Sequence, residues 1–306
     1  MPQELQEWLP HSEILTYDEI ARLVRVATEI GVNKIRVTGG EPLTRRNVLT
    51  LFRQLAEIPG IKDIGVSTNG SLLNKRLETG ETVAEALVAA RVNSANISLD
   101  SLDPEIYKAV TGRDFLKQTL EGIQAAKAAK FHRIKLNAVL MRNRNEFELP
   151  ALVRFARKEN LLLRFIELMP VTTTDVLTDE NFLPIAEARR LIEREFGPLI
   201  ADLGFKTNGP ALYYELADSD QRIGFIGAMT NLHFCENCNK LRLTCDGKLR
   251  PCLGSHLEFD IKKPMREGAT DEELKQFFIH VIERKPEQHD FRFNYQPGRR
   301  MVAIGG

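Results

Sequence analysis

The chain has 306 residues, enough for one large α/β domain or a medium domain with a small companion. Its 42 basic and 42 acidic residues cancel, which argues against a generally nucleic-acid-binding or membrane-surface protein. No run of about 18 apolar residues offers a membrane span, the acidic start MPQELQEWLPHSE lacks a signal peptide's apolar stretch, and four cysteines in so long a chain argue for a reducing cytoplasm rather than a disulfide framework.

The predicted elements alternate. TYDEIARLVRVATEIG opens with a capping box from Thr16 to Glu19, sets Ile20, Leu23, Val24, Ala27 and Ile30 on one helical face, and stops at Gly31. KIRVTGG follows as a strand, then a helix from about Asn47 to Ala56. The strand DIGVSTNG, a helix near residues 80 to 91 and the strand SANISLD come next. A helix over about Phe115 to Lys130 leads to RIKLNAVL, and one over about Glu146 to Asn160 leads to LLLRFIELMP. Strands with a helix in each gap predict parallel βαβ units and a barrel-like α/β fold, whose ligands gather at the C-terminal strand ends. Those ends read GGEP, STNG, SLDS, NAVL and ELMP, mostly small or polar. Beyond about residue 205 the rhythm changes to short antiparallel pieces, FKTNGPALYYEL and QRIGFIGAMT, and a hairpin with Asp246-Gly247 as a two-residue turn. A final helix, DEELKQFFIHVIER, precedes the tail. The chain thus divides into a barrel-like region, 1–205, and a smaller α+β region, 206–306.

All four cysteines fall within CENCNKLRLTCDGKLRPC, Cys235 to Cys252. Cys235 and Cys238 form a C-x2-C pair, and Cys252 returns at the far end of the hairpin. Structural zinc needs a fourth ligand, from Cys245, His233 or His256. An iron–sulfur cluster tolerates three cysteines and leaves one iron open. Spacing alone puts zinc ahead, and Cys245 reads as a half-buried strand residue.

Basic residues recur at strand spacing. Lys34 and Arg36, Arg133 and Lys135, and Lys240 and Arg242 each share a strand face. Parallel strands inside a barrel are normally apolar on both faces, so inward cations need compensation. Glu41, Asp100 or Glu167 could pair with some of them; an enclosed polyanion such as a nucleoside triphosphate accounts for them more simply.

KIRVTGGEPLTRR, VSTNG, NISLDSLD, IKLNAV, RFIELMP, the C-x2-C-x13-C spacing and the closing Gly305-Gly306 occur together in this order. In these features the chain resembles the GTP 3′,8-cyclase family of the radical S-adenosylmethionine superfamily, over essentially its whole length. The resemblance implies an incomplete (βα) TIM-type barrel, a lyase, and the first step of molybdenum cofactor biosynthesis. In that family a first four-iron cluster and S-adenosylmethionine generate a 5′-deoxyadenosyl radical, which takes the C3′ hydrogen of GTP so that this carbon closes on C8 of guanine. It also moves the cysteine reading from zinc to a second [4Fe-4S] cluster on Cys235, Cys238 and Cys252, its open iron facing the purine. By resemblance Gly40, Ser98 and Met169 contact S-adenosylmethionine, and Arg36, Ser67, Lys135, Lys240 and Arg242 contact GTP. A source of electrons, a downstream cyclic pyranopterin monophosphate synthase, a homodimer and a cytoplasmic location follow as implied partners and setting. The Gly-Gly end is implied to reach into the active site.

The chain departs from the family at two points. Lys240 stands where the family usually has arginine, replacing a forked donor by a point charge. The family's first-cluster motif, C-x3-C-x2-C followed by Met-Pro, has no counterpart in this sequence, which begins Met1-Pro2. No catalytic side chain is therefore assigned. The expectation is a start placed too late in the reading frame, or else a true truncation, and 306 residues that do not cleave S-adenosylmethionine by themselves.

Overall fold

The computed structural model describes residues 9–171, 177–207, 209–291, 295, 298–299 and 301–304. The Gly305-Gly306 end lies outside the described residues.

Thr16 starts α1 (Tyr17–Glu29) with the expected capping box: its hydroxyl accepts from Glu19 N–H at 3.2 Å, and the Glu19 carboxylate accepts from Thr16 N–H at 2.7 Å. The chain then alternates through β1 (Lys34–Val37), α2 (Val48–Ala56), β2 (Asp63–Thr68), α3 (Val83–Ala89) and β3 (Ser94–Ser98). It continues through α4 (Pro104–Thr111), α5 (Leu116–Ala128), β4 (Arg133–Leu140), α6 (Leu149–Glu159) and β5 (Leu162–Glu167). The sequence reading omits α4 and the next helix, α7 (Ile185–Phe196). The α4 signal was short but present: the Asp103 carboxylate accepts from the N–H groups of Glu105 and Ile106, and Pro104 occupies the first turn.

After α7 come β6 (Leu199–Ala201), β7 (Leu212–Leu216) and β8 (Arg222–Ile226). The last two pair antiparallel, as the sequence reading has them, but they do not form a separate sheet. β8 lies parallel to β5, with Arg164 opposite Gly224, so one eight-stranded sheet runs β1-β2-β3-β4-β5-β8-β7-β6. Its six neighbouring parallel strands, with their crossover helices, are the incomplete (βα) TIM-type barrel that was expected.

The two faces of these strands differ in chemistry. Ile64, Val66, Ala95, Ile97, Leu136, Ala138, Leu163, Phe165, Ile223 and Phe225 all face the main core, packed against residues of the helices such as Phe52, Leu87, Ile123 and Leu152. Alternate positions carry Arg36, Gly65, Ser67, Ser94, Asn96, Lys135, Asn137 and Arg164 on the opposite face. Apolar burial therefore fixes the register, and the same register turns a polar row inward.

The C-terminal region holds β9 (Arg242–Leu243), β10 (Lys248–Arg250) and β11 (Phe259–Asp260), an antiparallel sheet of order β11-β10-β9. Next come α8 (Lys262–Arg266), α9 (Asp271–Glu283) and a last turn, α10 (Met301–Ile304). The β9–β10 turn differs from the expected two-residue one. Thr244 N–H donates to Lys248 O at 2.9 Å and its hydroxyl accepts from Lys248 N–H at 2.9 Å, leaving Cys245-Asp246-Gly247 as a three-residue loop. Gly247 closes it at φ +80°, where a side chain is strained. Cys245 is accordingly an exposed turn residue, not a half-buried strand residue, and its carbonyl accepts from Leu15 N–H at 2.8 Å.

Helix α1 joins the two parts. Ala21 and Val24 belong to the main core, while Leu23, Val26 and Ala27 pack with Leu249, Ile261, Met265, Leu274, Phe278 and Val281. No helix among the described residues is long and apolar enough to cross a membrane.

Candidate active site

Three expected contacts of S-adenosylmethionine lie at the C-terminal ends of the parallel strands. Gly40 is in the exposed bend after β1, Ser98 ends β3, and Met169 follows β5. Glu41, beside Gly40, accepts from Asn69 N–H at 2.7 Å, Leu43 N–H at 3.1 Å and the Thr68 hydroxyl at 2.8 Å. Burial still raises its carboxyl above the ordinary value, against these three donors.

Arg36, Ser67 and Lys135 stand deeper, on the polar face. The Arg36 guanidinium lies directly over Gly65; a Cβ there would sit 2.2 Å from Nη1 and 2.3 Å from Cζ. It donates to Val66 O at 3.3 Å and to Ser94 Oγ at 3.2 Å. Burial lowers it to about 10, with Arg164 and Arg133 adding to the effect and Asp63 opposing it. Lys135 is 3% exposed, and its ammonium has no hydrogen bond or ion pair among the described residues. Burial first, and then Arg164, Arg36 and Arg133, bring its ammonium down to about 7. Asn96 lies between Ser67 and Lys135 in register, and its buried Oδ1 has no hydrogen-bond partner among the described residues. An unpaired ammonium beside an unpaired buried amide oxygen is costly unless a ligand completes it.

The carboxylates offered in sequence as compensation are engaged elsewhere. Asp100 accepts from Val139 N–H at 2.8 Å, and burial raises it to about 6. Glu167, fully buried, accepts from Ile185 N–H at 3.1 Å, Met229 N–H at 2.8 Å, Thr230 N–H at 3.0 Å and the Thr230 hydroxyl. It ties the end of β5 to the loop after β8. The pairing that does occur is Arg133 with Asp63, at 3.5 Å.

Sequence reading missed Arg164. Its Nε donates to Asn137 Oδ1 at 2.9 Å, and it stacks over Gly224, where a Cβ would come within 2.9 Å of Arg164 Cγ. Burial lowers its guanidinium, a hydrogen bond with Tyr213 opposing. The available signal was one cation inside the apolar run LLLRFIE; with no second cation two positions away it went unnoticed.

The cation row continues into the cysteine segment. Lys240 is exposed as a residue, yet partial burial of its ammonium lowers it, with Arg242, Lys285 and Arg164 adding to the effect and the Cys238 sulfur opposing. Burial lowers Arg242 too, against the sulfurs of Cys238 and Cys252. At Cys238, burial raises the thiol, but the Lys240 N–H and the ammonium groups of Lys285 and Lys240 outweigh it and hold the thiol below its ordinary value. Burial pushes Cys252 up, against the Gly254 N–H and Lys285, and the neighbouring Cys235 and Cys238 add to the rise. Among the described residues no group of three or more His, Cys, Asp or Glu converges on a single metal ion. The donor set nonetheless suits a thiolate-bound cluster: three soft sulfurs feel one another, two of them receive amide N–H groups, and cations surround them.

A small apolar cluster links this segment to the rim. Met169, Met229, Phe234 and Leu253 pack with Ala228, Phe291 and Tyr295, so the rim residue Met169 and the neighbours of Cys235 and Cys252 share one packing unit.

Two family models divide the chain: residues 5–156 match the radical SAM superfamily and residues 161–291 match Molybdenum Cofactor Synthesis C. The chain is 42% identical over 306 residues to a GTP 3′,8-cyclase of Pelotomaculum thermopropionicum, covering all of this chain and 92% of that protein. A GTP 3′,8-cyclase of Moorella thermoacetica is 43% identical over 296 residues, covering 97% and 88%. Among solved structures, Streptococcus suis SuiB bound to S-adenosylmethionine superposes with a TM-score of 0.56 at 16% identity, covering 85% of this chain and 58% of that one, a likeness of fold. Sequence, fold and family models agree, and the chain belongs to the GTP 3′,8-cyclase family of the radical SAM superfamily.

Proposed function

We propose that the chain acts on GTP, converting it to (8S)-3′,8-cyclo-7,8-dihydroguanosine 5′-triphosphate, a lyase-class reaction that opens molybdenum cofactor biosynthesis. One observation carries the reading: a row of cations, Arg36, Lys135, Arg164, Lys240 and Arg242, runs from the barrel interior to the cysteines with few carboxylates to balance it. A triphosphate supplies the missing negative charge, with Arg36 and Lys135 as phosphate donors and Ser67 adding a hydroxyl. Lys240 and Arg242 then receive the end of the nucleotide nearest the sulfurs. Cys235, Cys238 and Cys252 would hold a [4Fe-4S] cluster, whose open iron supplies a Lewis-acidic site for the purine. Gly40, Ser98 and Met169 form the rim at which S-adenosylmethionine would lie, and the register of the strands holds rim and interior in fixed relation.

The test is binding after anaerobic reconstitution. The expected result is about four irons with matching sulfide per chain, and affinity falling in the order GTP, GDP, GMP. Lys135→Met should weaken GTP much more than GMP. Colourless protein holding zinc without sulfide, or equal affinity for GTP and guanosine, would defeat the proposal.

A further inference from the structure

Lys285 follows α9, far in sequence from the cysteines, yet its side chain reaches both of their segments. Its Nζ donates to Lys240 O at 2.8 Å and to Pro251 O at 2.5 Å. The first carbonyl lies two residues after Cys238, the second immediately before Cys252. A lysine ammonium has three N–H donors. Two are taken by these carbonyls, and the charge they hold in place acts on the neighbouring Cys238 thiol. These two carbonyl bonds commit Lys285 to the cysteine segments, which separates it from the cation row.

We propose that Lys285 is a positioning residue for the cysteine site: it clasps the two sulfur-bearing segments together and places a fixed positive charge on the Cys238 side of the group they hold. This rests on the reading of the trio as a cluster site. One-electron reduction of a bound four-iron cluster adds one negative charge, which a nearby fixed ammonium stabilises relative to the oxidised form. The charge therefore raises the midpoint potential of the couple. A structural role through the two carbonyl bonds alone would be served by any donor of similar reach.

Two substitutions separate charge from hydrogen bonding. Lys285→Gln keeps an N–H donor without charge, and Lys285→Arg keeps charge and donors. The full chain and both variants are reconstituted anaerobically with iron and sulfide, checked by circular dichroism, analysed for metal and sulfide, and titrated with dithionite under electron paramagnetic resonance. The expected result is a more negative midpoint in Lys285→Gln and a value close to wild type in Lys285→Arg. A folded Lys285→Gln that takes up no cluster, while Lys285→Arg does, supports the same role. Equal midpoints in all three proteins overturn it, as does an equal displacement, or loss of the cluster, in both variants. Zinc without sulfide in the wild-type chain would instead overturn the cluster reading, and Lys285 with it, so the two failures differ in their readout.

Discussion

Gly65 gives the sharpest test of how the barrel interior is organised. A methyl group there would lie 2.2 Å from Arg36 Nη1, where ordinary contact begins at 3.4 Å, so the guanidinium must retreat by more than an ångström. Its bonds to Val66 O and Ser94 Oγ already stand at 3.3 and 3.2 Å and do not survive that shift. The obstructed atoms are the far end of a flexible side chain, so Gly65→Ala should cost the fold little, ~1 kcal/mol. Arg36 would instead lose its alignment with a phosphate, a charge-assisted contact worth ~1.5–3 kcal/mol, or roughly 10- to 150-fold in affinity. Calorimetric titration of GTP into the anaerobically prepared variant, with a thermal melt as the folding control, measures both quantities. Because Gly65→Ala acts through Arg36, combining it with Arg36→Ala should weaken binding no further than Arg36→Ala alone. Wild-type affinity in Gly65→Ala, or simple additivity in the double variant, would refute the reasoning.

Three further outcomes follow from the same geometry. Lys135, held down at about 7, binds fewer protons folded than unfolded between about pH 7 and its ordinary 10.5, so its burial cost is full below pH 7 and shrinks as pH rises. Lys135→Met should therefore raise the melting temperature of the nucleotide-free protein most near about pH 6.5 and least near about pH 9.5; a gain independent of pH would count against the buried charge. Glu167→Gln replaces a carboxylate surrounded by N–H and O–H donors with a group that is itself half donor, and should destabilise by ~3 kcal/mol in urea unfolding; a change below ~0.5 kcal/mol would remove it as the tie between β5 and the loop after β8. Gly254→Ala would bring a Cβ within 2.6 Å of Phe291 Cε1 and 2.9 Å of His289 Cβ. It should lower the iron and sulfide retained by the reconstituted chain, and full retention would show that the aromatic packing is independent of Cys252.

Local signals carried much of the fold. Thr16 and Glu19 define the start of α1 within three residues of each other, and the alternation in KIRV, DIGVST and RIKLNAVL reports burial on one face directly. Pairings between distant segments were not legible: nothing in QRIGFIGAMT says that Ile223 will lie opposite Leu163 in the main sheet. At the site, Lys135 is buried and Arg36 lies over Gly65, but Lys34 and Lys240 are exposed and Arg133 pairs with Asp63; Arg164 was hidden because its partner is Asn137 on the neighbouring strand. Glu41, Asp100 and Glu167 looked like counter-charges because sequence displays carboxylates but not the backbone N–H groups that claim them. Cys245 was misplaced because the loop is one residue longer than expected, closed by the Thr244 hydroxyl and amide on Lys248.

Because α1 contributes opposite flanks to two apolar interiors, neither interior is complete without that one helix. The cysteine-bearing hairpin is thus not a detachable module: heat or denaturant that loosens it also strips one wall from the barrel, and the molecule should melt as a single cooperative body.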